Sequence, residues 1–279
     1  MLDRSSLGVI VLAAAGMGAI TTGAWAFDNA NYPDIRGAWE RPGAAQWDTT
    51  KPPGLRQQAP LTPEYQAVFE ANLADAAAGG QEYNPQVNCL PAGMPRVMIA
   101  YEPLEFIVTP EITYMRSDHL GQNRRIYTDG RDWPEKIKPS FDGYSIGKWV
   151  DSGGDGGYGA LEVETRGFKG PRTLDHTGLP LHADNQTIVK ELLFIDQGNR
   201  NLLHDQITTI DHAYTRPWTV TRDYRRYPNP VWIEANCGVE NHYVELGKQT
   251  YFISADGYLM PTKKSQPVPD LKNFDQSPK

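Results

Sequence analysis

Short runs in which apolar and polar residues alternate occupy most of the chain between residues 105 and 227. A period of two places successive side chains on opposite faces, so each run predicts a β-strand with one buried face. Turn residues such as Asp129-Gly130 separate the runs, as hairpin connections require. Eight strands are predicted, at residues 105–109, 111–117, 123–128, 144–150, 160–168, 186–195, 202–211 and 218–227.

This arrangement predicts an all-β fold. Eight consecutive strands with mostly short connections favour an antiparallel up-and-down barrel, whose interior has room for side chains or one small ligand. A β-sandwich made of the same strands is the alternative architecture.

One helix is predicted before the strands, and we expect it to pack on the barrel. Thr62-Pro63-Glu64 supplies an N-cap, a proline at the first helical position and an acid in the first turn. Apolar residues then recur at helical spacing, namely Tyr65, Val68, Phe69, Leu73 and Ala76. Gly79-Gly80 is the predicted end of the helix.

The start of the chain predicts export. Residues 7–20 are apolar and Ala24-Trp-Ala26 matches a cleavage site, so residues 1–26 are predicted to be a signal peptide. A membrane anchor is the alternative, but the apolar stretch is short for one. We therefore expect a periplasmic or secreted protein with no stable membrane insertion after signal removal. The mature chain is divided into an N-terminal extension (27–95), a β-barrel domain (96–245) and a C-terminal strand and tail (246–279).

Charge and cysteine content narrow the function further. The chain has 27 Lys and Arg against 34 Asp and Glu, a formal net charge of -7, which disfavours nucleic acid as a partner. Its two cysteines, Cys89 and Cys237, predict a disulfide in an exported protein. Two free thiols or metal ligands are the alternatives, and no C-x-x-C or Cys/His spacing supports them.

The densest polar cluster is the connector 175–184, between the fifth and sixth predicted strands. His182 and Asp184 in this connector are predicted to form a general-base pair, in which the carboxylate orients the imidazole. Turn capping by the same side chains is the structural alternative. A metal site is a further alternative, with His176, His182 and Asp184 as ligands beside His119 or His204. Because these spacings match no strong metal motif, neither a metal nor another cofactor is predicted.

A second candidate set lies on the second and third predicted strands. Arg125, Tyr127 and Asp129 share one strand face, with Arg124 and Ile126 on the other. If the first face is internal, Arg125 binds an anionic or carbonyl group and Tyr127 donates a proton. A surface Arg/Asp pair is the alternative.

Further ligand-binding residues are predicted around the barrel, namely Tyr114, Trp149, Glu191 and His204. Glu191 adjoins Lys190 in an apolar run, so we expect one of the two to point inward. A carboxyl group buried there would have a raised pKa and suit acid–base work.

Three motifs resemble one protein family. Residues 124–131, 143–149 and 215–219 stand in an order and spacing similar to a family of exported bacterial β-proteins with lipocalin-like, or calycin-type, character. Gly37-Ala-Trp39 resembles the G-x-W of lipocalin-type barrels, in which a Trp closes the barrel floor. The resemblance covers about residues 34–241 and implies no catalytic residues. The chain departs from the family after Trp149, where it has a longer loop rich in glycine.

These features predict a periplasmic β-barrel enzyme that acts on a small hydrophobic or amphipathic molecule. The predicted chemistry is of the acid–base type: isomerisation, water addition or elimination, or hydrolysis. A non-enzymatic lipocalin-like binding protein for a hydrophobic ligand is the alternative. A structural envelope protein without a cavity is the third interpretation.

Overall fold

A computed structural model describes most of the chain between residues 31 and 267. The described residues are 31–43, 46–48, 50–51, 57, 59–78, 84–151, 157–182, 186–233, 237, 243–246, 249–253 and 258–267. The predicted signal peptide, Asp184, most of the glycine-rich loop after Trp149 and the end of the predicted tail lie outside these residues.

Nine strands close into a barrel, which confirms the predicted all-β barrel with one helix. The barrel strands are β1 (Gly37–Glu40), β2 (Leu104–Val108), β3 (Ile112–Ser117), β4 (Gln122–Tyr127), β5 (Tyr144–Val150), β6 (Ala160–Arg166), β7 (Ile188–Ile195), β8 (Leu202–Ile210) and β9 (Trp218–Arg226). A separate three-stranded sheet contains β10 (Tyr243–Leu246), β11 (Gln249–Ile253) and β12 (Leu259–Pro261). The eight predicted strands correspond to β2–β9, and β1 is the strand that the prediction lacked.

The sequence predicted a fully antiparallel barrel, but one pair of neighbouring strands is parallel. Strands β4 and β5 run parallel and are paired only at Ile126↔Ser145 and Tyr127↔Ile146. The directions of nine strands cannot alternate around a closed ring, because an odd number leaves two neighbours pointing the same way. Residues 128–143 make the crossover that a parallel pair requires. We call this β4–β5 junction the seam.

Trp39 of the G-x-W motif lies at one end of the barrel and is fully buried. Its indole Nε1 donates a hydrogen bond to the carbonyl oxygen of Ile35 at 2.7 Å. The guanidinium of Arg226, on β9, lies 4.3 Å from the centroid of the Trp39 ring and donates to the carbonyl oxygen of Arg36. These contacts join β1 to the last barrel strand.

The one α-helix among the described residues, α1 (Pro63–Ala77), lies against the connectors at the opposite end of the barrel. It begins as predicted: the Thr62 side chain accepts a hydrogen bond from the backbone N–H of Tyr65. Asn72 of α1 donates to the carbonyl oxygen of Gly178 at 2.8 Å, which fixes the helix to the β6–β7 connector. Among the described residues, no helix has the length and hydrophobicity needed to span a membrane.

The predicted disulfide between Cys89 and Cys237 is confirmed. The two cysteines are 148 positions apart, with a Cα–Cα distance of 5.6 Å. Because Cys89 precedes β2 and Cys237 follows β9, the bond encloses most of the barrel in one covalent loop. This position is compatible with an extracellular or periplasmic protein.

Candidate functional site

The structure shows which strand faces are internal. On β4, Arg124 and Ile126 point into the barrel and are buried, whereas Arg125 is exposed on the outside. On β7, Glu191 is the buried member of its pair and Lys190 is exposed. Charged side chains therefore enter the barrel from at least two strands.

Arg124 and Glu191 form a buried ion pair inside the barrel. Arg124 Nη1 donates to Glu191 Oε1 at 2.8 Å, and Arg124 Nη2 donates to Glu191 Oε2. The remaining edge of the guanidinium donates from Nε to Ser145 Oγ at 3.0 Å and from Nη2 to Thr165 Oγ1 at 2.7 Å. This geometry is bidentate, which gives the strongest type of protein ion pair.

A second pair of charged residues lies near this ion pair. Asp205 of β8 and Arg222 of β9 stand opposite each other in the strand register and are fully buried. Within the described residues, neither carboxylate oxygen of Asp205 has a hydrogen-bond partner. Burial raises the pKa of Asp205 well above its ordinary value, and the charge of Glu191 raises it further against the opposing effects of Arg124 and Arg222.

An open cleft of about 540 Å³ lies over the seam. Strands β4 and β5 pair at two positions, compared with eight positions between β8 and β9, so the start of β4 has little strand contact on the seam side. Residues of β3 and β4 line one wall, namely Tyr114, Asn123, Arg124, Arg125 and Tyr127. The other wall is Ser140, Asp142, Gly143 and Tyr144. We call this space the seam cleft.

Asp142 is the carboxyl group of the seam cleft. Gln122 Nε2 donates to Asp142 Oδ1 at 2.7 Å. Burial raises the pKa of Asp142, although the positive charge of Arg124 and the hydrogen bond from Gln122 act in the opposite direction. The carboxyl group is therefore held toward its neutral form while it faces an open space.

The backbone beside Asp142 is held close to β6. Ser140 N–H donates to the carbonyl oxygen of Gly167 at 3.1 Å. Gly143 has φ +71°, and a Cβ there would lie 2.7 Å from Phe168 Cε1. Only glycine combines this backbone conformation with such a close approach. The position of Asp142 is consequently set by its neighbours in the chain.

Aromatic rings and arginines form the outer rim of the seam cleft. The ring centroids of Tyr127 and Tyr144 are 5.0 Å apart, and Trp133 lies 6.1 Å from Tyr144. The Arg131 guanidinium lies 3.8 Å from the Tyr127 ring centroid and also pairs with Asp129 at 2.6 Å. The rim thus offers apolar surface with hydroxyl groups at its edge.

The structure brings together only part of the predicted ligand-binding set. The seam cleft is lined by three of the predicted residues, Tyr114, Arg125 and Tyr127. Glu191 does not line the cleft, but it binds Arg124, which does. Trp149 is buried near the other end of the barrel, where it packs on Tyr32 at 5.1 Å.

His204 is also separate from the seam cleft, on the outer face of β8. Its Nδ1 lies 2.8 Å from Asp223 Oδ1 and its Nε2 lies 3.2 Å from Asp196 Oδ2. Desolvation is the largest single influence on the pKa of His204 and lowers it, but the hydrogen bonds and charges of Asp223 and Asp196 together raise that pKa above its ordinary value. His204 thus belongs to an ion cluster on the outer face of the barrel, and its ligand-binding role stays a prediction.

The connector that contains His182 packs against α1. The His182 ring lies 5.8 Å from Tyr65 and 5.6 Å from His212, and its backbone N–H donates to Asp211 Oδ1 at 2.9 Å. Asp175 accepts from the backbone N–H and the hydroxyl of Thr177, as a turn-capping residue does. Because Asp184 lies outside the described residues, the proposed His182–Asp184 base pair stays a prediction.

Asp142 and Tyr144 are site residues that the sequence analysis missed. Asp142 precedes Gly143, so its local pattern is that of an ordinary turn residue. Residues 143–147 also match G-x-S-x-G, a pattern that marks a nucleophilic serine when it occupies a strand-to-helix turn. Here Ser145 lies within β5, is buried and accepts a hydrogen bond from Arg124, so the hydrolase geometry is absent at this position.

A second groove of about 440 Å³ lies on the outer face of β5–β8. Its charged side chains partly neutralise one another, as Lys190 Nζ lies 3.3 Å from Glu164 Oε2. Leu192 and Ile146 supply apolar surface. This groove lies over continuously paired strands, whereas the seam cleft opens where β4 and β5 pair at only two positions.

The described residues contain no group of three or more His, Cys, Asp or Glu side chains arranged to hold a metal ion. Comparison with protein-family models gives no match, and comparison with curated proteins gives none either. The resemblance to exported lipocalin-like β-proteins therefore stays a prediction.

Proposed function

We propose that the protein is an exported enzyme that carries out acid–base chemistry on a small, partly apolar molecule in the seam cleft. The observation that carries this proposal is Asp142, a carboxyl group with a raised pKa that faces an open space. Catalytic acids and bases need a pKa moved toward the working pH, and burial beside a cleft is the usual way to move that of a carboxyl group. The disulfide supports the exported location.

The surrounding side chains have complementary roles in this proposal. Asp142 donates a proton to the bound molecule and later recovers it, while Tyr127 and Tyr144 contact the apolar part. Arg124 is neutralised by Glu191 and fixes the inner wall of the cleft. The reaction class is isomerisation, water addition or elimination, or hydrolysis.

A carrier for a hydrophobic ligand inside the barrel is less well supported. Such a carrier needs an internal apolar cavity. Large side chains occupy the interior instead, including the fully buried Trp39, Phe106, Met115 and Tyr224. The buried charges of Arg124, Glu191, Asp205 and Arg222 also make the interior unsuitable for a purely hydrophobic molecule.

A carboxyl-detected NMR titration tests the role of Asp142. We expect its midpoint to lie above 3.8, the ordinary value, and the Asp142→Asn variant to identify and remove that signal. Asp129 is the matched control in the same rim: its hydrogen bonds from Arg131 lower its pKa to about 2. A midpoint for Asp142 at or below 3.8 would contradict the proposal.

The raised pKa of Asp142 also predicts the pH dependence of stability. As pH rises above 3.8, the carboxyl group of Asp142 loses its proton in the unfolded chain before it does so in the folded chain. The folded state therefore binds more protons in this pH range. The contribution of Asp142 is therefore fully present below 3.8 and is lost as pH rises toward the folded pKa. Urea unfolding at a series of pH values measures this decrease in unfolding free energy. Asp142→Asn should remove the decrease, whereas Asp129→Asn should leave it in place.

A further inference from the structure

The charges around the seam cleft are not all neutralised. Arg124 is paired with Glu191, and Arg131 is paired with Asp129. Arg125 is exposed on the outer face of β4 and lines the cleft, and no ion pair or hydrogen bond of its side chain is found within the described part of the chain. Among the described residues that line the cleft, Arg125 is therefore the cation available to a ligand.

Aromatic surface lies on both sides of this cation. In the strand register Arg125 stands opposite Tyr114 on β3, and Tyr127 follows two positions later on the same face of β4. Tyr144 completes the surface from the other wall, 5.0 Å from Tyr127 between ring centroids and inclined to it by 31°. The two rings contact each other and stay partly exposed, so they offer apolar surface to a ligand that lies beside the pair.

The size of the cleft fits a small molecule. Its volume of about 540 Å³ lies within the range of ligand pockets. A guanidinium recognises a carboxylate through two parallel N–H donors, and an aromatic surface adds apolar contact for the rest of the ligand.

From this juxtaposition we infer that the seam cleft binds a molecule in which a planar aromatic or conjugated ring carries a carboxylate. Arg125 binds the carboxylate, and Tyr127 and Tyr144 contact the ring. The inference rests on the proposed function, because it names the substrate class of the same cleft.

Binding of three simple probes tests this inference. Benzoate, benzyl alcohol and benzylamine share one ring and differ in charge. Titration of the purified mature protein, followed by calorimetry and by the NMR signals of the tyrosine rings, should place benzoate first in affinity. Arg125→Gln should weaken benzoate binding by about tenfold, because it removes a charge-assisted contact, and should leave benzyl alcohol unchanged.

Arg225→Gln is the matched control, since Arg225 is an exposed arginine on the distant strand β9. It should leave binding of all three probes unchanged. If benzyl alcohol or benzylamine binds the cleft as tightly as benzoate does, the substrate class is wrong and the cleft remains the site. If none of the three probes perturbs Tyr127 or Tyr144, the proposed function fails together with the inference.

Discussion

Replacing either member of the buried Arg124–Glu191 pair should destabilise the protein by about 3–5 kcal/mol. Arg124→Met leaves the Glu191 carboxylate, which lies close to Asp205, without its counter-ion. Glu191→Leu likewise leaves the Arg124 guanidinium without a counter-ion. Taking one partner away from a buried pair strands a charge that water cannot reach. Urea unfolding of the two single variants measures the effect.

The double variant Arg124→Met/Glu191→Leu separates the cost of an unpaired charge from the value of the pair. We expect its stability to return close to that of the wild type, because apolar replacement of a buried pair is often neutral or stabilising. Ser145 Oγ and Thr165 Oγ1 lie 2.9 Å apart, and we expect them to keep this mutual hydrogen bond when Arg124 is replaced.

Lys190→Met is the control for the same strand, since it removes an exposed pair with Glu164. The expected change is below about 1 kcal/mol. Single variants at Arg124 and Glu191 that unfold at the wild-type urea concentration would contradict the buried ion pair.

Removing the disulfide should lower the free energy of unfolding by about as much as breaking the Arg124–Glu191 pair. The double variant Cys89→Ala/Cys237→Ala should lose about 4–5 kcal/mol of unfolding free energy in the chain-entropy model. The bond joins residues 148 positions apart, so its loss releases most of the barrel strands in the unfolded chain.

Equilibrium unfolding of this variant and of reduced wild-type protein measures the contribution of the bond. The two samples should agree with each other and unfold at lower urea than the oxidised protein. An oxidised and a reduced protein of equal stability would contradict the expectation.

Local patterns in the sequence predicted much of the fold. Alternation of apolar and polar residues gave strands β2–β9, because one face of each strand packs on the barrel interior. The helix start at Thr62-Pro63 was predictable from capping chemistry, and the Cys89–Cys237 bond from cysteine count and predicted export.

Features that depend on closure of the barrel were not predictable in the same way. Strand β1 has four residues, too few for an alternating pattern to stand out. The parallel seam follows from the addition of this ninth strand, so an eight-strand prediction could not contain it. Asp142 becomes distinctive only because the seam places it beside Arg124 and Gln122.

The sequence also left open which polar residues point into the barrel, because this depends on how distant strands pair. On β4, Ile126 alone could not decide which face is internal, and Arg124 proved to be inside because Glu191, Ser145 and Thr165 satisfy its donors. Asp205 follows the inward alternation of β8 between Leu203 and Ile207. Neither arrangement is visible until distant strands are paired.

The location of bound benzoate tests the central claim most directly, and a crystal structure of the mature protein soaked with benzoate would provide it. We expect the carboxylate to contact Arg125 and the ring to lie against Tyr127 and Tyr144, beside Asp142. Benzoate bound instead in the barrel interior next to Asp205, or in the outer groove beside Leu192, would contradict the assignment of the seam cleft as the functional site.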